Sequence, residues 1–333
     1  MKHNICVLGS GAWGTALADL LGRNGNRVRI YGICREELDD INEHGRNAKY
    51  FGESFCLCDG IRATSALDEA LSGADLILFA VPSFAIRETV QRVRDRLTAE
   101  TIIVNVAKGF DSETEQPLGR MIAEQLPPEY RHNVVSLLGP TFAEEVAERQ
   151  CTAITASGTD LSVLRKVQQI FSSGYFRVYI NDDALGAEYC AALKNVIALA
   201  CGIADGIGCK VNSRAALITR GLAEIVRFVT FFGGNAKTCY GLAGVGDLIL
   251  TCSSRTSRNY TAGCIIGSSS AEQFFAENKK TVEGVFACEI AHRIAGENGI
   301  YAPIVNSVYN ILFRGSKPID EIGRLMTGDL KAE

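Results

Sequence analysis

One lysine of this sequence interrupts an otherwise apolar run. Lys194 and Asn195 stand at the centre of CAALKNVIALAC, residues 190–201, in which the other ten residues are apolar. Helical spacing places Lys194 in a stripe of mostly small side chains: Ala187, Ala191, Ala198, Cys201 and Asp205. Such a stripe favours either close helix packing or a pocket for a small ligand. In a pocket, the ammonium group could hold or donate a proton.

A second lysine, Lys108, follows a predicted strand. Ligands of open parallel sheets bind beyond the carboxyl ends of the strands. Three of those ends read VPS at 81–83, AKG at 107–109 and GPT at 139–141, and Lys108 is the only cation among them. A lone lysine at a strand end is either solvated or a ligand contact, and this position favours the ligand contact.

A glycine turn and a polar cluster share the segment GLAGVGDLILTCSSRTSRNY, residues 241–260. Asp247 is compatible with a cap of the helix that begins there. Arg258 is either a surface charge or a phosphate ligand, because its planar fork fits two phosphate oxygens at once. Ser257 and Asn259 would add neutral donors beside it.

The segment GSGAWG, Gly9 to Gly14, has the G-x-G-x-x-G spacing of a dinucleotide-binding turn. A predicted strand precedes it and a predicted helix follows it, which makes the pattern specific. Gly9 permits the tight turn, Gly11 lets the backbone approach a pyrophosphate, and Gly14 allows the helix to pack against the strand. The diphosphate is expected at the helix N-terminus.

The end of the second strand bears on the choice of cofactor. The sequence there is YGICREE, residues 31–37, with no acid from Tyr31 to Cys34 and with Arg35 close behind. This pattern favours the 2′-phosphate of NADP, whereas Glu36 and Glu37 leave NAD open. Arg35 is equally compatible with a solvated helix residue.

Apolar runs and helical patterns alternate in the first half of the chain, which predicts an α/β domain with a doubly wound, Rossmann-like parallel sheet. The later segments are mostly helical and predict an all-α second domain. We expect domains at 1–181 and 182–333, the first binding the dinucleotide and the second the substrate. The predicted strands are 4–9, 27–32, 60–65, 76–81, 101–106, 134–139, 152–157 and 176–180.

Composition narrows the possible classes of protein. The chain has 333 residues, 47% hydrophobic and 22% charged, with a net charge of −4, which gives no global reason to expect nucleic acid or an anionic membrane as partner. No signal peptide or membrane span is expected, so we predict a cytoplasmic protein. The twelve cysteines are expected to be reduced, buried hydrophobes, and no metal site is expected because Cys56-x-Cys58 has no second pair at zinc spacing.

Taken together, the motifs resemble those of the NAD(P)-dependent glycerol-3-phosphate dehydrogenases of bacterial type. The segments GSGAWGTALA, VPS, AKG, GPTFA, ALKNVIA, AGVGDLILTC, SRN and TVEG occur in the family's order, from residue 5 to about residue 290. The sequence departs from the family at Ile33 and Cys34, where a histidine or arginine is common. The resemblance also implies that the helical domain is similar to the C-terminal domain of 6-phosphogluconate dehydrogenase.

The resemblance implies roles for individual residues. Lys194 matches the catalytic lysine, and Lys108 matches a second lysine that contacts substrate and cofactor. Asn195 and Thr251 match polar positions near the site. The implied substrate contacts are Lys108, Gly139, Thr141, Lys194, Asp247, Ser257, Arg258 and Asn259. The implied cofactor contacts are Gly9, Gly11, Ala12, Trp13, Gly14, Tyr50, Lys108, Ala143, Arg258 and Glu283.

The reaction implied by the resemblance is hydride transfer between NAD(P)(H) and a phosphorylated triose, dihydroxyacetone phosphate, to give sn-glycerol 3-phosphate for phospholipid synthesis, by a homodimer. Two alternatives stay open. A β-hydroxyacid dehydrogenase shares the two-domain plan and a helix-borne Lys-Asn pair, although the SRN cluster suits phosphate better than carboxylate. A non-catalytic NADP-sensing protein would lack the convergent polar residues of the second half.

Overall fold

The computed structural model of the chain describes residues 2–278 and 281–327. Contacts group the chain into two units, Met1–Ala184 and Leu185–Glu333. The limits 1–181 and 182–333 stay a prediction about domains, and the predicted end of the second domain, 328–333, lies outside the described residues.

An eight-stranded sheet forms the first unit, with the strand order β3-β2-β1-β4-β5-β6-β7-β8. All eight strands overlap the predicted segments. The order reverses between β1 and β4, which is the doubly wound arrangement. The strands are β1 Asn4–Leu8, β2 Arg27–Tyr31, β3 Arg62–Thr64, β4 Leu76–Phe79, β5 Ile102–Asn105, β6 Val134–Leu138, β7 Thr152–Gly158 and β8 Phe176–Asn181.

Eight α-helices accompany these strands in the described part of the first unit. The helices are α1 Ala12–Arg23, α2 Arg35–His44, α3 Ala48–Phe51, α4 Leu67–Leu71, α5 Ile86–Val93, α6 Leu118–Gln125, α7 Ala143–Ala147 and α8 Leu161–Phe171. They connect strand ends to the starts of the next strands, and all but α7, which joins β6 to β7, lie in connections between parallel strands.

The sheet differs from the predicted parallel sheet at one edge. Strands β1 to β6 pair in parallel, but β7 runs antiparallel to β6, and β8 is parallel to β7. Between β6 and β7 the chain forms only α7, a helix of five residues. At about 1.5 Å per residue this helix is too short to return the chain along the sheet, so β7 starts at the same end.

Both faces of the sheet are buried. Ile5 and Val7 of β1 pack into one hydrophobic cluster, whereas Cys6 and Leu8 pack into another. Alternate side chains of a strand point to opposite faces, so the two clusters lie on the two sides of the sheet. This explains why the central strands β1, β4, β5 and β6 read as nearly continuous apolar runs, whereas β2 and β8 alternate buried and exposed residues.

Helices form the second unit, as predicted. Among the described residues, only α9 is long and apolar enough to cross a membrane, and its apolar window is entirely buried inside the structure, as in a core helix. The helices are α9 Ala184–Gly206, α10 Val211–Phe231, α11 Asp247–Ser253, α12 Arg258–Ser268, α13 Ala271–Glu277, α14 Glu283–Asn298, α15 Pro303–Phe313 and α16 Pro318–Met326.

The small residues of α9 serve close helix packing in its last turns. A Cβ atom added to Gly202 would lie 2.1 Å from the carbonyl oxygen of Tyr260, and one added to Gly263 would lie 2.4 Å from the carbonyl oxygen of Leu199. The backbones of α9 and α12 therefore touch. This supports the packing alternative for the small-residue pattern in this part of the helix.

The cysteines fit their predicted state only in part. None of the twelve, all of which the structure describes, forms a disulfide. Six are buried, but Cys56 and Cys151 are exposed. The prediction of burial is wrong for those two, because they stand in loops rather than in the apolar runs that supply the core.

Candidate active site

The fingerprint turn, which is the glycine-rich segment Gly9 to Gly14 between β1 and α1, has the geometry expected of a dinucleotide-binding turn. Gly9 has φ 119°, and a Cβ atom there would lie 2.6 Å from the carbonyl oxygen of Ala80. A Cβ atom on Gly14 would lie 2.1 Å from the carbonyl oxygen of Gly9. Both positions require glycine, because the first helical turn lies directly on the strand ends.

Gly11 is different, since a Cβ atom there would meet nothing within 4 Å. Gly11 is the N-cap of α1, and no side chain caps that helix end. The space above Gly11 and the N–H groups of the first turn thus fit a diphosphate, which needs close backbone approach and hydrogen-bond donors. Ala12 and Trp13 begin the helix, and Trp13 packs against the core of the sheet.

A buried acid, Glu37, lies against the fingerprint. Its Oε2 accepts a hydrogen bond from the Ser10 hydroxyl at 2.5 Å. Its Oε1 accepts hydrogen bonds from Lys49 Nζ at 2.5 Å and from the Tyr50 hydroxyl at 3.1 Å. Arg35, the residue that favoured NADP in the sequence, is an exposed side chain paired with Asp39 at 3.5 Å.

Asn47 joins the same turn from α3's N-terminal side. Its amide nitrogen donates to the carbonyl oxygen of Ser10 at 2.8 Å and to the Thr15 hydroxyl at 2.9 Å. The segment that carries Tyr50 is therefore hydrogen-bonded to the fingerprint both through Asn47 and through Glu37. This is how Tyr50, a predicted cofactor contact, comes to lie beside the turn.

Three predicted residues meet at the carboxyl ends of β5 and β6. Lys108 Nζ donates a hydrogen bond to the carbonyl oxygen of Gly139 at 3.1 Å. The Thr141 hydroxyl donates to the same oxygen at 3.4 Å. The lysine is therefore held at the ligand edge of the sheet, which favours the ligand-contact alternative for Lys108.

The loop that follows Lys108 is held by an ion pair that the sequence did not reveal. Arg87 of α5 forms two hydrogen bonds to the carboxylate of Asp111. Asp111 also accepts from the backbone N–H of Thr114 at 2.8 Å. Burial raises the pKa of Asp111, but the hydrogen bonds from Arg87 and Thr114 outweigh burial and bring this pKa below its ordinary value.

In the second unit, Lys194 is buried and oriented by two side chains. Lys194 Nζ donates to Asp247 Oδ1 at 2.5 Å and to the Thr251 hydroxyl oxygen at 2.8 Å. The Thr251 hydroxyl donates in turn to the backbone carbonyl oxygen of Asp247 at 2.6 Å. The side chains of Lys194 and Asp247 are only 7% and 1% exposed, so the ion pair is nearly dry. A buried lysine with such a partner keeps a fixed direction.

Asp247 owes its position to the glycine turn that precedes it. Residues Leu242–Gly246 form one π-helical turn, in which Gly244 has φ −96° and ψ −106°. A Cβ atom on Gly244 would lie 2.1 Å from the carbonyl oxygen of Cys239. Asp247 is the first residue of α11, and its carboxylate binds Lys194 rather than capping the helix. The interpretation of Asp247 as a helix cap is therefore wrong, because its carboxylate is oriented toward the ammonium group of Lys194.

The polar cluster 257–259 forms the start of α12. Ser257 is the N-cap, and its hydroxyl oxygen accepts a hydrogen bond from the backbone N–H of Tyr260. Arg258 is exposed, and no hydrogen bond or ion pair of its side chain occurs with the described residues. Asn259 is buried, donates to Asn195 Oδ1 at 2.9 Å and accepts from the backbone N–H of Gly284 at 2.8 Å.

Comparisons with known proteins bear on which family has this arrangement. A model of the N-terminus of NAD-dependent glycerol-3-phosphate dehydrogenase matches residues 4–164, and a model of the C-terminus of the same protein matches residues 183–323. This chain belongs to the NAD-dependent glycerol-3-phosphate dehydrogenase family. The resemblance inferred from the motifs is confirmed.

Individual members of this family are similar to the chain over nearly its whole length. A glycerol-3-phosphate dehydrogenase [NAD(P)+] of an Exiguobacterium species is 44% identical over 331 residues, 99% of this chain and 97% of the relative. The enzyme of the same name from Enterococcus faecalis is 42% identical and covers 100% of this chain and 98% of its own. The crystal structure of glycerol-3-phosphate dehydrogenase from Coxiella burnetii has a TM-score of 0.89 at 34% identity, covering 98% of this chain and 99% of its own.

The residues to which the resemblance assigns roles fall into separate groups within each unit. In the first unit, Gly9 to Gly14 form the turn, and α1 packs beside α7, which begins at Ala143. In the second unit, Glu283 begins α14, directly before the glycine that Asn259 binds. The predicted roles of all these residues stay proposals.

The sequence did not reveal two supporting groups of residues. One is the set of contacts made by Glu37, which the sequence indicated only as an acid that leaves NAD open, and the other is the pair Arg87 and Asp111. For Glu37 a signal was present, because helical spacing places it on one face with Ile41, which is buried. No comparable signal joins Arg87 to Asp111, since they lie on different elements.

Proposed function

We propose that this chain catalyses the interconversion of dihydroxyacetone phosphate and sn-glycerol 3-phosphate, with NAD(H) or NADP(H) as the hydride carrier. The observation that carries the proposal is the buried triad of Lys194, Asp247 and Thr251, in a chain whose two halves both match the family. A dry, oriented ammonium group serves the needs of carbonyl reduction.

The fingerprint turn is proposed to hold the dinucleotide. Its fit rests on the open space above Gly11 and on the uncapped N-terminus of α1. When bound, the nicotinamide supplies the hydride. Cofactor contacts are proposed for Gly9, Gly11, Ala12, Trp13, Gly14, Tyr50, Lys108, Ala143, Arg258 and Glu283.

Lys194 is proposed as the proton donor at the substrate oxygen. As C2 of the triose becomes tetrahedral, its oxygen gains negative charge, and an ammonium group within hydrogen-bond reach stabilises that charge and delivers a proton. Asp247 and Thr251 fix the direction of the ammonium, so little reorganisation is needed during the reaction. In the reverse direction the neutral amine accepts the proton from the alcohol.

The phosphate of the substrate is proposed to bind at the start of α12. The dipole of an eleven-residue helix favours an anion at its N-terminus, and Arg258 adds a charge at the first helical position. Ser257 contributes its hydroxyl proton. Asn259 gives one of its two amide hydrogens to Asn195, which leaves the other for the phosphate. Lys108, Gly139 and Thr141 are proposed as further substrate contacts.

The alternatives gain less support. A non-catalytic NADP-sensing protein has no use for a buried, aligned Lys-Asp-Thr set in its second half. A β-hydroxyacid dehydrogenase would share a lysine on a core helix, but family membership and the α12 N-terminus with Arg258 favour a phosphorylated substrate.

The biological setting of the reaction is a further part of the proposal. By carry-over from the family, we propose that the chain supplies glycerol 3-phosphate for phospholipid synthesis, acts in the cytoplasm and forms a homodimer. Sedimentation equilibrium of the purified protein tests the dimer. A particle with the mass of one chain at micromolar concentration contradicts it.

The central assay uses purified protein, dihydroxyacetone phosphate and each reduced cofactor in turn. Loss of the absorbance of the reduced nicotinamide, with formation of sn-glycerol 3-phosphate, is the expected result. Unphosphorylated dihydroxyacetone and 3-hydroxyisobutyrate with the oxidised cofactors are the comparison substrates. Turnover of the hydroxyacid without turnover of the triose phosphate would assign the chain to the other class.

A further inference from the structure

We propose that Glu37 is a specificity-determining residue that makes this chain bind NAD(H) more tightly than NADP(H). The inference rests on the proposed function in one respect, that the fingerprint turn holds a dinucleotide. It reverses the expectation drawn from Arg35 in the sequence, because the structure places Glu37, and not Arg35, against the turn.

The position of Glu37 relates it to the ribose of the cofactor. Dinucleotide folds that select NAD place an acid roughly 20 residues past the fingerprint, where it meets the adenosine ribose. Glu37 stands 23 positions after Gly14, by subtraction of 14 from 37. Its carboxylate accepts a hydrogen bond from Ser10, the residue between the first two glycines, so the acid lies directly against the fingerprint turn.

Lys49 is bound to Glu37, and we infer that a 2′-phosphate at this place would need the same cation. The Lys49 side chain is 56% exposed, whereas that of Glu37 is 6% exposed, and their charged atoms are 2.5 Å apart. A phosphate that drew Lys49 away would leave a buried carboxylate without its counter-charge. Loss of the counter-charge is unfavourable for a carboxylate that is itself buried, and the exposure of Lys49 to solvent reduces this cost.

The Glu37 carboxylate keeps its negative charge near neutral pH. Burial raises the pKa of Glu37, but hydrogen bonds from Lys49, Ser10 and Tyr50 outweigh burial and bring this pKa below its ordinary value. The hydrogen bond to Glu37 likewise raises the pKa of Lys49. Both groups are therefore charged, and the pair is fully formed.

The surrounding segment carries no surplus of positive charge. Residues 35–50 contain three arginine or lysine side chains and five carboxylates, and Ile33 and Cys34 before them are uncharged. Arg35 extends into solvent beside Asp39. A 2′-phosphate adds up to two negative charges to this surface, whereas the 2′-hydroxyl of NAD adds none.

Binding measurements test the inference without catalysis. Trp13 is the only tryptophan of the chain and begins α1, so its fluorescence reports dinucleotide binding directly. The dissociation constants of NADH and NADPH are to be measured for the wild type, Glu37→Gln, Lys49→Met and the double variant. Glu36→Gln is the matched control, since Glu36 is an exposed neighbour of the same charge.

The wild type is expected to bind NADH about tenfold or more tighter than NADPH. Glu37→Gln should lower that preference about tenfold, because it releases Lys49 for the 2′-phosphate and so raises the affinity for NADPH. Adding Lys49→Met to Glu37→Gln should remove this gain in affinity for NADPH. Glu36→Gln should keep the wild-type ratio. A merely structural Glu37 would change both affinities by one factor, which overturns the inference, as does equal wild-type affinity for both cofactors.

Two further outcomes are decisive. If Glu37→Gln does not fold, the Lys49→Met variant decides alone. A large loss of affinity for NADPH with unchanged affinity for NADH would mean that Lys49 binds the 2′-phosphate in the wild type. The inference would then be wrong. An unchanged or larger preference for NADH supports it. If the wild type binds neither dinucleotide, the proposed function fails instead.

Discussion

Lys194 and Asp247 form a buried ion pair, with Nζ 2.5 Å from Oδ1, although 53 residues separate them in the sequence. The lysine is on the core helix α9, and the aspartate opens α11 after a π-helical turn. This ion pair explains why a charged residue, Lys194, stands in the apolar run 190–201. The core helix carries a lysine because a second element supplies its counter-ion.

Asp247→Asn is expected to impair both stability and turnover. The substitution keeps the shape but leaves the Lys194 ammonium buried without a counter-charge, which costs about 3 to 5 kcal/mol of the free energy of unfolding. We expect kcat to fall about tenfold or more, because the ammonium loses its orientation. Chemical denaturation and steady-state kinetics measure the two effects. Asp320→Asn, at an exposed aspartate, is the control, and equal behaviour of the two variants contradicts the role of Asp247.

Arg258→Ala is expected to raise KM and lower kcat/KM for dihydroxyacetone phosphate. A hydrogen bond to a charged group contributes about 1.5 to 3 kcal/mol, which corresponds to about a 10- to 100-fold loss. At saturating cofactor the kcat/KM for unphosphorylated dihydroxyacetone should fall much less, because that substrate lacks the phosphate and the reaction loses only the proposed contact of Arg258 with the cofactor. Arg255→Ala, three residues earlier and also exposed, is the comparison. Equal losses on both substrates would remove the phosphate role.

Gly11→Val and Gly14→Ala are expected to fail in different ways. The space above Gly11 is open, so valine there should leave Tm near the wild-type value while weakening NADH binding about tenfold or more. A Cβ atom on Gly14 would lie 2.1 Å from the carbonyl oxygen of Gly9, so alanine there should lower Tm. Thermal unfolding and NADH titration check both. Undiminished NADH binding by Gly11→Val contradicts the proposed diphosphate seat.

Much of the first unit was predictable because its strands are buried on both faces. Short continuous apolar runs such as those of β1 and β4 are typical of such strands, and the predicted segments overlap all eight strands. The reversed direction of β7 was not predictable, since its pattern of burial is the same in either direction. It follows instead from the shortness of α7, which residue patterns near 143–147 do not reveal.

The candidate site was predictable as a set of residues but not as a set of contacts. Motifs identified Lys194, Asp247 and Thr251 individually, whereas the hydrogen bonds between them depend on the packing of α9 beside the 242–251 segment. Asn259 is the clearest example. Its type suggested a phosphate ligand, yet its amide also joins α12 to Asn195 and to the first turn of α14.

Glu224 gives the second unit a predicted dependence of stability on pH. Its carboxylate accepts hydrogen bonds from the backbone N–H groups of Ile304 at 2.6 Å and Val305 at 3.2 Å, at the start of α15. Burial, only partly offset by those hydrogen bonds and by Arg227 and Arg220, raises the pKa of Glu224 to about 7. The folded state therefore holds the proton more tightly than the unfolded state.

Protonated Glu224 stabilises the folded state. Its contribution is complete below the ordinary pKa of 4.5 and is lost as pH rises to about 7. From about pH 5 to pH 8 this group should lower the free energy of unfolding by roughly 3 kcal/mol. Urea denaturation at several pH values measures this free energy of unfolding. Glu224→Gln should remove this part of its decline with pH, whereas Glu289→Gln, at an exposed site, should keep the decline. A variant that follows the wild-type pH curve contradicts the assignment.

Single-turnover reduction of dihydroxyacetone phosphate by the enzyme preloaded with reduced cofactor tests the central claim most directly. Lys194→Ala should slow oxidation of the cofactor about 100-fold or more, as loss of a positioned general acid does. Circular dichroism should show a folded protein, and Lys237→Ala, at an exposed lysine, should react like the wild type. A folded Lys194→Ala variant that oxidises the cofactor at the wild-type rate would contradict the account.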